Sequence, residues 1–295
     1  MTKTRWFIIL LIAACLVVSG VLAQRRPSGR RITRGPIRRF DNRPRTFEPE
    51  WEIDKEFSDD VFTFVRIRYS SGYGGQRGGG RYSRGFSGGN WATDYPDSEL
   101  NLSFRLHQLT SLEVNPEPIV LELTDPELFN YPFIYIVEPG RLVFREEEVK
   151  NLRRYLLNGG FLMIDDFWGE NEWYNIYFEL KRVFPEREPV ELTLDHPIFH
   201  FVFDLKEKPQ IPSINVALSG YYNGNVITWE RPDARIPHYM AIYDDKGRMM
   251  VIICRNTDLG DGWEREGEDQ WYFREFSEKK AYPLGINIVF YAMTH

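Results

Sequence analysis

The hydrophobic pattern after residue 60 switches repeatedly between the period of a strand and the period of a helix. Residues 61–69 alternate apolar and polar side chains, which predicts a strand. Leucines at helical spacing predict a helix over residues 98–109, capped by Asp97 or Ser98. The same reasoning predicts further strands at residues 119–123, 131–137, 161–164 and 249–254. Further helices are predicted at residues 149–157, 170–184 and 284–293.

Strands that are apolar along their whole length, separated by helices, indicate an α/β fold. Such strands are buried on both faces, as in a mostly parallel, doubly wound sheet with helices on each side. Asn223-Gly224 and residues 244–247 carry turn signals, which predict β-hairpin additions in the C-terminal half.

Acidic residues follow several of the predicted strands directly. Glu138 comes after one strand and Asp165-Asp166 after the next. The carboxyl ends of parallel strands open on one edge of the sheet, where such folds bind ligands. We therefore expect a ligand-binding strand-end cleft at this edge. Its predicted ligand-binding residues are Glu138, Asp165, Asp166, Trp168, Asp258 and Asp261.

Acids gathered at one edge repel one another. Their repulsion raises the pKa of at least one carboxyl or recruits a cation, unless Arg141, Arg255 or a histidine neutralises them. We expect at least one of the acids to be partly buried, and Asp165 or Asp166 to share the cleft with His196 or Asp258. The candidate catalytic residues are therefore Asp165, Asp166, His196 and Asp258.

Each of these motifs also has a purely structural interpretation. Asp165 and Asp166 are adjacent, so a strand points them to opposite faces, and one of them then caps the following helix. Residues 256–262 fit a turn whose side chains bond their own backbone, since they lack the register of a calcium loop. His196 and His200 have the i, i+4 spacing of metal ligands, but the proline between them favours a turn. They are weak candidates for a metal site, and the sequence predicts no cofactor.

Composition is typical of a globular protein without a disulfide framework. Hydrophobic residues make up 42 % of the 295 residues, which is enough for a core. The two cysteines are Cys15, in an apolar N-terminal run, and Cys254. Cys254 is predicted to be a small buried hydrophobic residue and not a nucleophile.

The net charge of −6 conceals two oppositely charged parts. Residues 24–46 carry nine arginines and one aspartate, a charge of +8. Residues 47–295 hold 26 Lys and Arg against 42 Asp and Glu, a charge of −16. An acidic domain repels nucleic acid and anionic lipid, so nucleic acid is not expected as a partner. Any contact with an anionic envelope surface belongs to the arginine-rich tail.

The first 23 residues have the features of an export signal. Lys3 and Arg5 precede an apolar run over residues 6–18, which leads to small residues suited to a signal peptidase. The alternatives are cleavage after Ala23, retention as a single N-terminal membrane anchor, and lipidation at Cys15. The arginines after the run favour the anchor, because positive charges oppose translocation. The predicted location is the periplasm or cell envelope.

Two segments are predicted to lack packed structure. Residues 24–58 form an arginine-rich tail and linker, with too few apolar residues to fold. Residues 71–89 contain nine glycines and predict a flexible loop rather than an RNA-binding segment. The folded part is therefore a single α/β domain over residues 59–295 that contains this loop.

A set of ordered motifs within residues 59–295 resembles one bacterial family. The motifs are Trp91-x-x-Asp94-Tyr-Pro, Tyr131-Pro-Phe, Glu138-Pro-Gly140, residues 158–169, His196-Pro-Ile-Phe-His200, residues 256–262 and residues 282–287. They resemble the family called domain of unknown function 4159. The resemblance implies a class I glutamine amidotransferase-like fold, which has a flavodoxin-like sheet, and no settled activity.

The resemblance does not extend to amidotransferase chemistry. Such an enzyme needs a cysteine on a tight Gly-x-Cys-x-Gly elbow after a strand, and the corresponding strand end here reads Asp165-Asp166. The leading hypothesis is a non-catalytic envelope module that binds a small molecule or a protein in the strand-end cleft. Trp168, Trp173 and Trp263, which we expect to be exposed, favour it. The alternatives are a hydrolase that uses the Asp/His cleft, with or without a metal ion, and a structural scaffold of a membrane complex.

Overall fold

Strands with continuous apolar sequence form the centre of a seven-stranded sheet. The computed structural model describes residues 51–53, 61–71 and 90–295 of the protein. The strands are β1 (Val65–Ile67), β2 (Ile119–Leu121), β3 (Phe133–Val137), β4 (Phe161–Asp165), β5 (Val190–Glu191), β6 (His238–Tyr243) and β7 (Met249–Arg255). Their order is β2-β1-β3-β4-β7-β6-β5. The first five of these run parallel, whereas β6 and β5 pair antiparallel, so the predicted mostly parallel sheet is confirmed.

Helices pack on both faces of this sheet. They are α1 (Asp97–Leu109), α2 (Glu146–Leu157), α3 (Gly169–Val183), α4 (Ile214–Tyr222), α5 (Leu259–Glu264), α6 (Gln270–Tyr272) and α7 (Tyr282–Thr294), with a π-helical stretch at Phe273–Ala281. Short 3-10 turns occur at Asn90–Ala92, Pro126–Asn130, Pro139–Arg141 and Pro197–Phe199.

Successive strand residues point to opposite sides and so build two buried layers. Along β3, Phe133 and Tyr135 join one hydrophobic cluster with residues of α1 and α7. Ile134 and Ile136 join the other cluster with residues of α2 and α3. Cys254 in β7 is buried in the first of these layers, as predicted.

One of the two predicted hairpins is wrong. Asn223-Gly224 follows the end of α4, where Gly224 at φ 72° supplies the left-handed residue after the helix. An Asn-Gly pair suits both a tight hairpin and a helix C-terminus, and the apolar spacing of Ile214–Tyr222 selects the helix here. The hairpin at residues 244–247 is confirmed and joins β6 to β7.

Several predicted segments lie outside the described residues. These are the N-terminal apolar run, the arginine-rich tail through residue 50 and the Gly-rich loop from residue 72 to 89. Trp51, within the segment predicted to be a linker, donates its indole N–H to the Val114 carbonyl at 2.8 Å and stacks on His107. Within the part of the chain that is described, no helix is both long enough and apolar enough to cross a membrane.

Candidate functional site

Left-handed residues cluster at the carboxyl edge of four neighbouring parallel strands. Of the described non-glycine residues, Asp94 (φ 62°), Glu138 (φ 44°), Asp166 (φ 54°) and Asn256 (φ 60°) have positive φ. Glu138, Asp166 and Asn256 directly follow β3, β4 and β7, and Asp94 lies between β1 and α1. Such backbone costs on the order of 1–3 kcal/mol at each residue and is concentrated at functional sites. The strain therefore points to a function at the strand-end cleft.

Three acids at this edge come close enough to hold one cation. One carboxylate oxygen from each of Asp94, Asp166 and Asp258 lies within 4.8 Å of the other two. Trp168 donates its indole N–H to Asp166 Oδ1 at 3.0 Å, and the Asp261 backbone N–H donates to Asp258 Oδ1 at 2.7 Å. Among the described residues, no hydrogen bond reaches the second oxygen of Asp166 or of Asp258. Each therefore keeps one oxygen for a ligand.

Asp166 and Asp258 are surrounded mainly by other acids. Burial raises the pKa of the Asp166 carboxyl well above its ordinary value, and neighbouring acids, led by Glu138, raise it further. Burial also raises the pKa of Asp258 well above its ordinary value, with Asp166 as the neighbour of largest effect. Carboxyls in this setting resist ionising together unless a cation lies between them.

Asp165 lies beneath these acids and anchors α5. It is fully buried, and its Oδ2 accepts hydrogen bonds from the Tyr135 hydroxyl at 3.0 Å and from the Leu259 and Gly260 N–H groups at 2.9 and 3.1 Å. Burial raises the pKa of Asp165 to about 7, although these donors lower it. The two adjacent aspartates thus have different surroundings. Asp165 accepts hydrogen bonds from the N-terminus of a helix, whereas Asp166 faces other acids.

Asp261 and Glu138 border the group of three acids. Asp261 accepts hydrogen bonds from the first N–H group of α4 at 2.6 Å and from Arg265 at 3.0 Å. Both of its oxygens are therefore engaged, which makes Asp261 a link between α4 and α5. Burial, followed by the charge of Asp94, raises the pKa of Glu138 to about 7.

Gly260 provides the space in which the acids approach one another. A Cβ at this position would lie 2.7 Å from Asp94 Oδ2, 3.1 Å from the Tyr135 hydroxyl and 3.4 Å from Asp258 Oδ1. Any side chain here would fill the gap between Asp94 and Asp258. Glycine is the residue that allows this close approach.

His196 and His200 lie away from the strand-end cleft, which corrects the expectation for His196. His196 Nε2 contacts the Tyr243 hydroxyl at 3.1 Å, and Tyr243 is the last residue of β6. Because β6 is antiparallel to β7, its carboxyl end lies at the amino edge of the parallel strands. His200 bonds Asp204 and the Leu194 carbonyl. Two groups of acids in the described part could hold a cation, Asp94 with Asp166 and Asp258 and Asp94 with Asp261 and Glu264, and neither contains a histidine.

The expected exposure of the tryptophans is also wrong. Trp168 and Trp263 are only 3 % and 0 % exposed, because one bonds a cleft acid and the other packs inside the core. Trp173 is half-buried, with the Arg255 guanidinium over its ring. Arg255 also pairs with Glu170, so it is engaged there and not with the cleft acids.

Sequence reasoning from strand ends does not single out Asp94. This residue follows β1 only after the Gly-rich loop, so no apolar run leads directly to it. The available signal is the Trp91-x-x-Asp94 motif, which follows β1. The strand order reverses between β1 and β3, and sheets of this kind bind ligands at such a point. Residues 85–89 of that loop match the sequence pattern Gly-x-Ser-x-Gly, and they lie outside the described residues.

One family model matches residues 63–293, and its description is Domain of unknown function (DUF4159). The match spans every strand of the sheet and all of the cleft acids. A comparison with curated proteins gave no match.

Proposed function

We propose that this chain, which belongs to the DUF4159 family, is a non-catalytic binding module that holds its ligand through a divalent cation in the strand-end cleft. The observation that carries the proposal is the approach of the Asp94, Asp166 and Asp258 carboxylate oxygens to within 4.8 Å of one another. Carboxylate oxygens are the ligands that Ca²⁺, Mg²⁺ and Mn²⁺ prefer.

The electrostatics of the cleft support a bound cation. Without one, Asp166 and Asp258 remain protonated or repel each other, since burial and neighbouring acids raise the pKa of both. Ca²⁺ takes about six to eight oxygen ligands, more than the one oxygen that each of Asp94, Asp166 and Asp258 brings to the group. Positions therefore remain for oxygen atoms of a ligand, which gives the cation a role in binding.

Metal-free protein is expected to bind about one Mn²⁺ or Ca²⁺ ion per chain and to be stabilised by it. At about 100 times the Kd, cation binding adds about 2.7 kcal/mol to the free energy of unfolding. Asp94→Asn is expected to remove most of this gain, because asparagine tolerates the left-handed backbone but lacks the charge. Titration calorimetry and urea unfolding measure the two effects.

Asp245→Asn is the matched control. Asp245 is an exposed aspartate that pairs with Arg187 in the turn after β6, so its loss is expected to leave the cation-dependent gain unchanged. Wild-type protein with no cation-dependent gain in stability would contradict the proposal. Protein partners that co-purify without any cation would favour the scaffold instead.

Two carboxyls that titrate near neutrality favour a second candidate, a metal-assisted hydrolase. Burial raises the pKa of Glu138 and of Asp165 to about 7, where a carboxyl exchanges protons efficiently at neutral pH. Glu138 directly follows β3, beside the point where the strand order reverses. Cation-dependent turnover of an ester or phosphoester that Glu138→Gln abolishes would favour the hydrolase over the binding module.

We also propose that the fold is of the glutamine amidotransferase-like, flavodoxin-like class. The order β2-β1-β3-β4-β7 supports this, since it corresponds to the 2-1-3-4-5 order of that type of doubly wound sheet. The protein is proposed to be exported or tethered by its N-terminal segment, with the arginine-rich tail on an anionic envelope surface. The export-type pattern of the first 23 residues and the nine arginines of the tail support this location.

A further inference from the structure

A buried arginine connects the segment that carries Asp94 to the sheet. We propose that Arg66 is the positioning residue of the cation site, because its guanidinium holds the turn that presents Asp94 to Asp166 and Asp258. This inference rests on the proposed function. It adds a buried residue of the central sheet that is not one of the three acids of the cation site.

The guanidinium of Arg66 binds the backbone immediately before Asp94. Arg66 lies in the middle of β1, and its side chain is fully buried. Its Nη1 donates to the Trp91 carbonyl at 2.9 Å and to the Thr93 carbonyl at 2.8 Å. Two carbonyls of one turn thus converge on a single nitrogen, which orients the following left-handed residue, Asp94.

The same side chain also holds the residues after Asp94. Arg66 Nε donates to Glu99 Oε1 at 2.5 Å, and Nη2 donates to the Ser98 hydroxyl at 3.2 Å, which in turn donates to Glu99 Oε2 at 2.8 Å. The Ser98 hydroxyl is therefore bonded to Arg66 and Glu99. It does not cap the helix as predicted, because α1 begins after Pro96 and has no side-chain cap hydrogen bond. Glu99 pairs with the buried guanidinium of Arg66, and the charge of Asp94 also interacts favourably with it.

Arg66 further connects to the acids from the other strands. Its guanidinium lies 4.8 Å from the ring centre of Tyr135, whose hydroxyl donates to Asp165. Asp165 anchors the N-terminus of α5, where Asp258 is the cap residue. The contact between Arg66 and Tyr135 therefore links the segment that carries Asp94 to the one that carries Asp258.

Arg66→Lys in the full-length chain tests this role. A lysine ammonium keeps the charge but cannot reproduce the fork that spans two carbonyls, Glu99 and Ser98. The affinity for Mn²⁺ is expected to fall roughly tenfold or more, the usual effect of losing support behind a metal ligand. The electron paramagnetic resonance spectrum of bound Mn²⁺ is expected to change as well, because Asp94 leaves its position.

Arg248→Lys is the matched control. Arg248 also donates to backbone carbonyls, those of Leu156 and Gly160, and pairs with Asp244, but it lies at the amino edge of β7. This variant is expected to lose a similar amount of stability with no change in Mn²⁺ affinity or spectrum. A general loss of stability would therefore affect both variants, whereas loss of positioning affects only Arg66→Lys.

The outcomes separate this inference from the proposed function. Wild-type protein that binds no Mn²⁺ overturns both. Wild-type binding together with a folded Arg66→Lys variant of equal affinity overturns the role of Arg66 alone. If Arg66→Lys does not fold, Ser98→Ala decides, because it removes one bond to the guanidinium. A roughly threefold loss of affinity is then expected, and unchanged affinity overturns the inference.

Discussion

Asp166→Asn is expected to weaken cation binding strongly and to stabilise the metal-free protein. At about pH 7.5 the free energy of unfolding is expected to rise by about 1–2 kcal/mol, because asparagine removes the cost of burying a carboxyl and its repulsion with Glu138 and Asp94. Asparagine tolerates φ 54°, and its amide oxygen can still accept the Trp168 N–H. The affinity for Mn²⁺ is expected to fall by roughly 100-fold or more, since a charged ligand is lost. Urea unfolding in chelator and titration calorimetry measure these changes.

The opposite signs of the two effects distinguish a cation ligand from a helix cap. Removing a cap lowers stability, whereas removing a repelling ligand raises it in the metal-free protein. Asp166→Ala is the control, because alanine in the left-handed region costs about 1–2 kcal/mol and cancels the gain. An asparagine variant that binds Mn²⁺ like the wild type, or that is less stable without metal, would return Asp166 to a structural role.

The metal-free protein is expected to lose stability as the pH rises from about 5 to about 7.5. Burial raises the pKa of Glu138 and Asp165 to about 7, from ordinary values of 4.5 and 3.8. Between these values the folded protein keeps protons that the unfolded chain has released, so the free energy of unfolding falls with rising pH. One pKa unit corresponds to about 1.4 kcal/mol for each of the two groups, so the loss over this pH range is expected to be on the order of 5 kcal/mol. The contribution is complete below about pH 4 and is lost above about pH 7.

Surface acids act in a different pH range and do not mask this decline. Hydrogen bonds from Arg153 and from Lys181 lower the pKa of Glu186 and of Glu188, so the stabilisation from these pairs is lost only at more acidic pH. Saturating Ca²⁺ is expected to flatten the decline, because the cation binds the ionised acids. Urea unfolding at a series of pH values, with chelator or Ca²⁺, measures both curves. Metal-free stability that rises across this range would contradict protonated acids in the cleft.

The strand-end acids could be predicted because chain order places them. Apolar strands joined by helical crossovers run parallel, and their carboxyl ends then meet at one edge. Asp165-Asp166 and Asp258 follow two such strands, β4 and β7, which are neighbours in the sheet. The sequence does not tell which of the adjacent aspartates joins the cation group. The choice between them depends on Asp165, which points toward α5 and accepts hydrogen bonds from its N–H groups.

His196 shows why a residue type and a spacing do not locate a side chain. The chain after β5 brings His196 to the hydroxyl of Tyr243 at the end of β6, and that end lies at the amino edge of the sheet because β6 pairs antiparallel with β7. Strand direction depends on which partner a strand finds, and a period-two pattern is the same in both directions. The Asn223-Gly224 turn is similar, since one dipeptide suits two kinds of chain reversal.

Local sequence was sufficient for most of the helices and strands of this protein, for the parallel sheet and for the edge that carries the acids. Periodicity, caps and turn residues act over a few positions, so they can be read along the chain. Contacts between distant residues decide that Asp94 lies in the cleft and that His196 lies outside it. Arg66 lies 25 and 27 positions before Trp91 and Thr93, yet its hydrogen bonds to their carbonyls hold the turn at Asp94. Burial and partner choice of this kind arise only when the sheet and helices pack together.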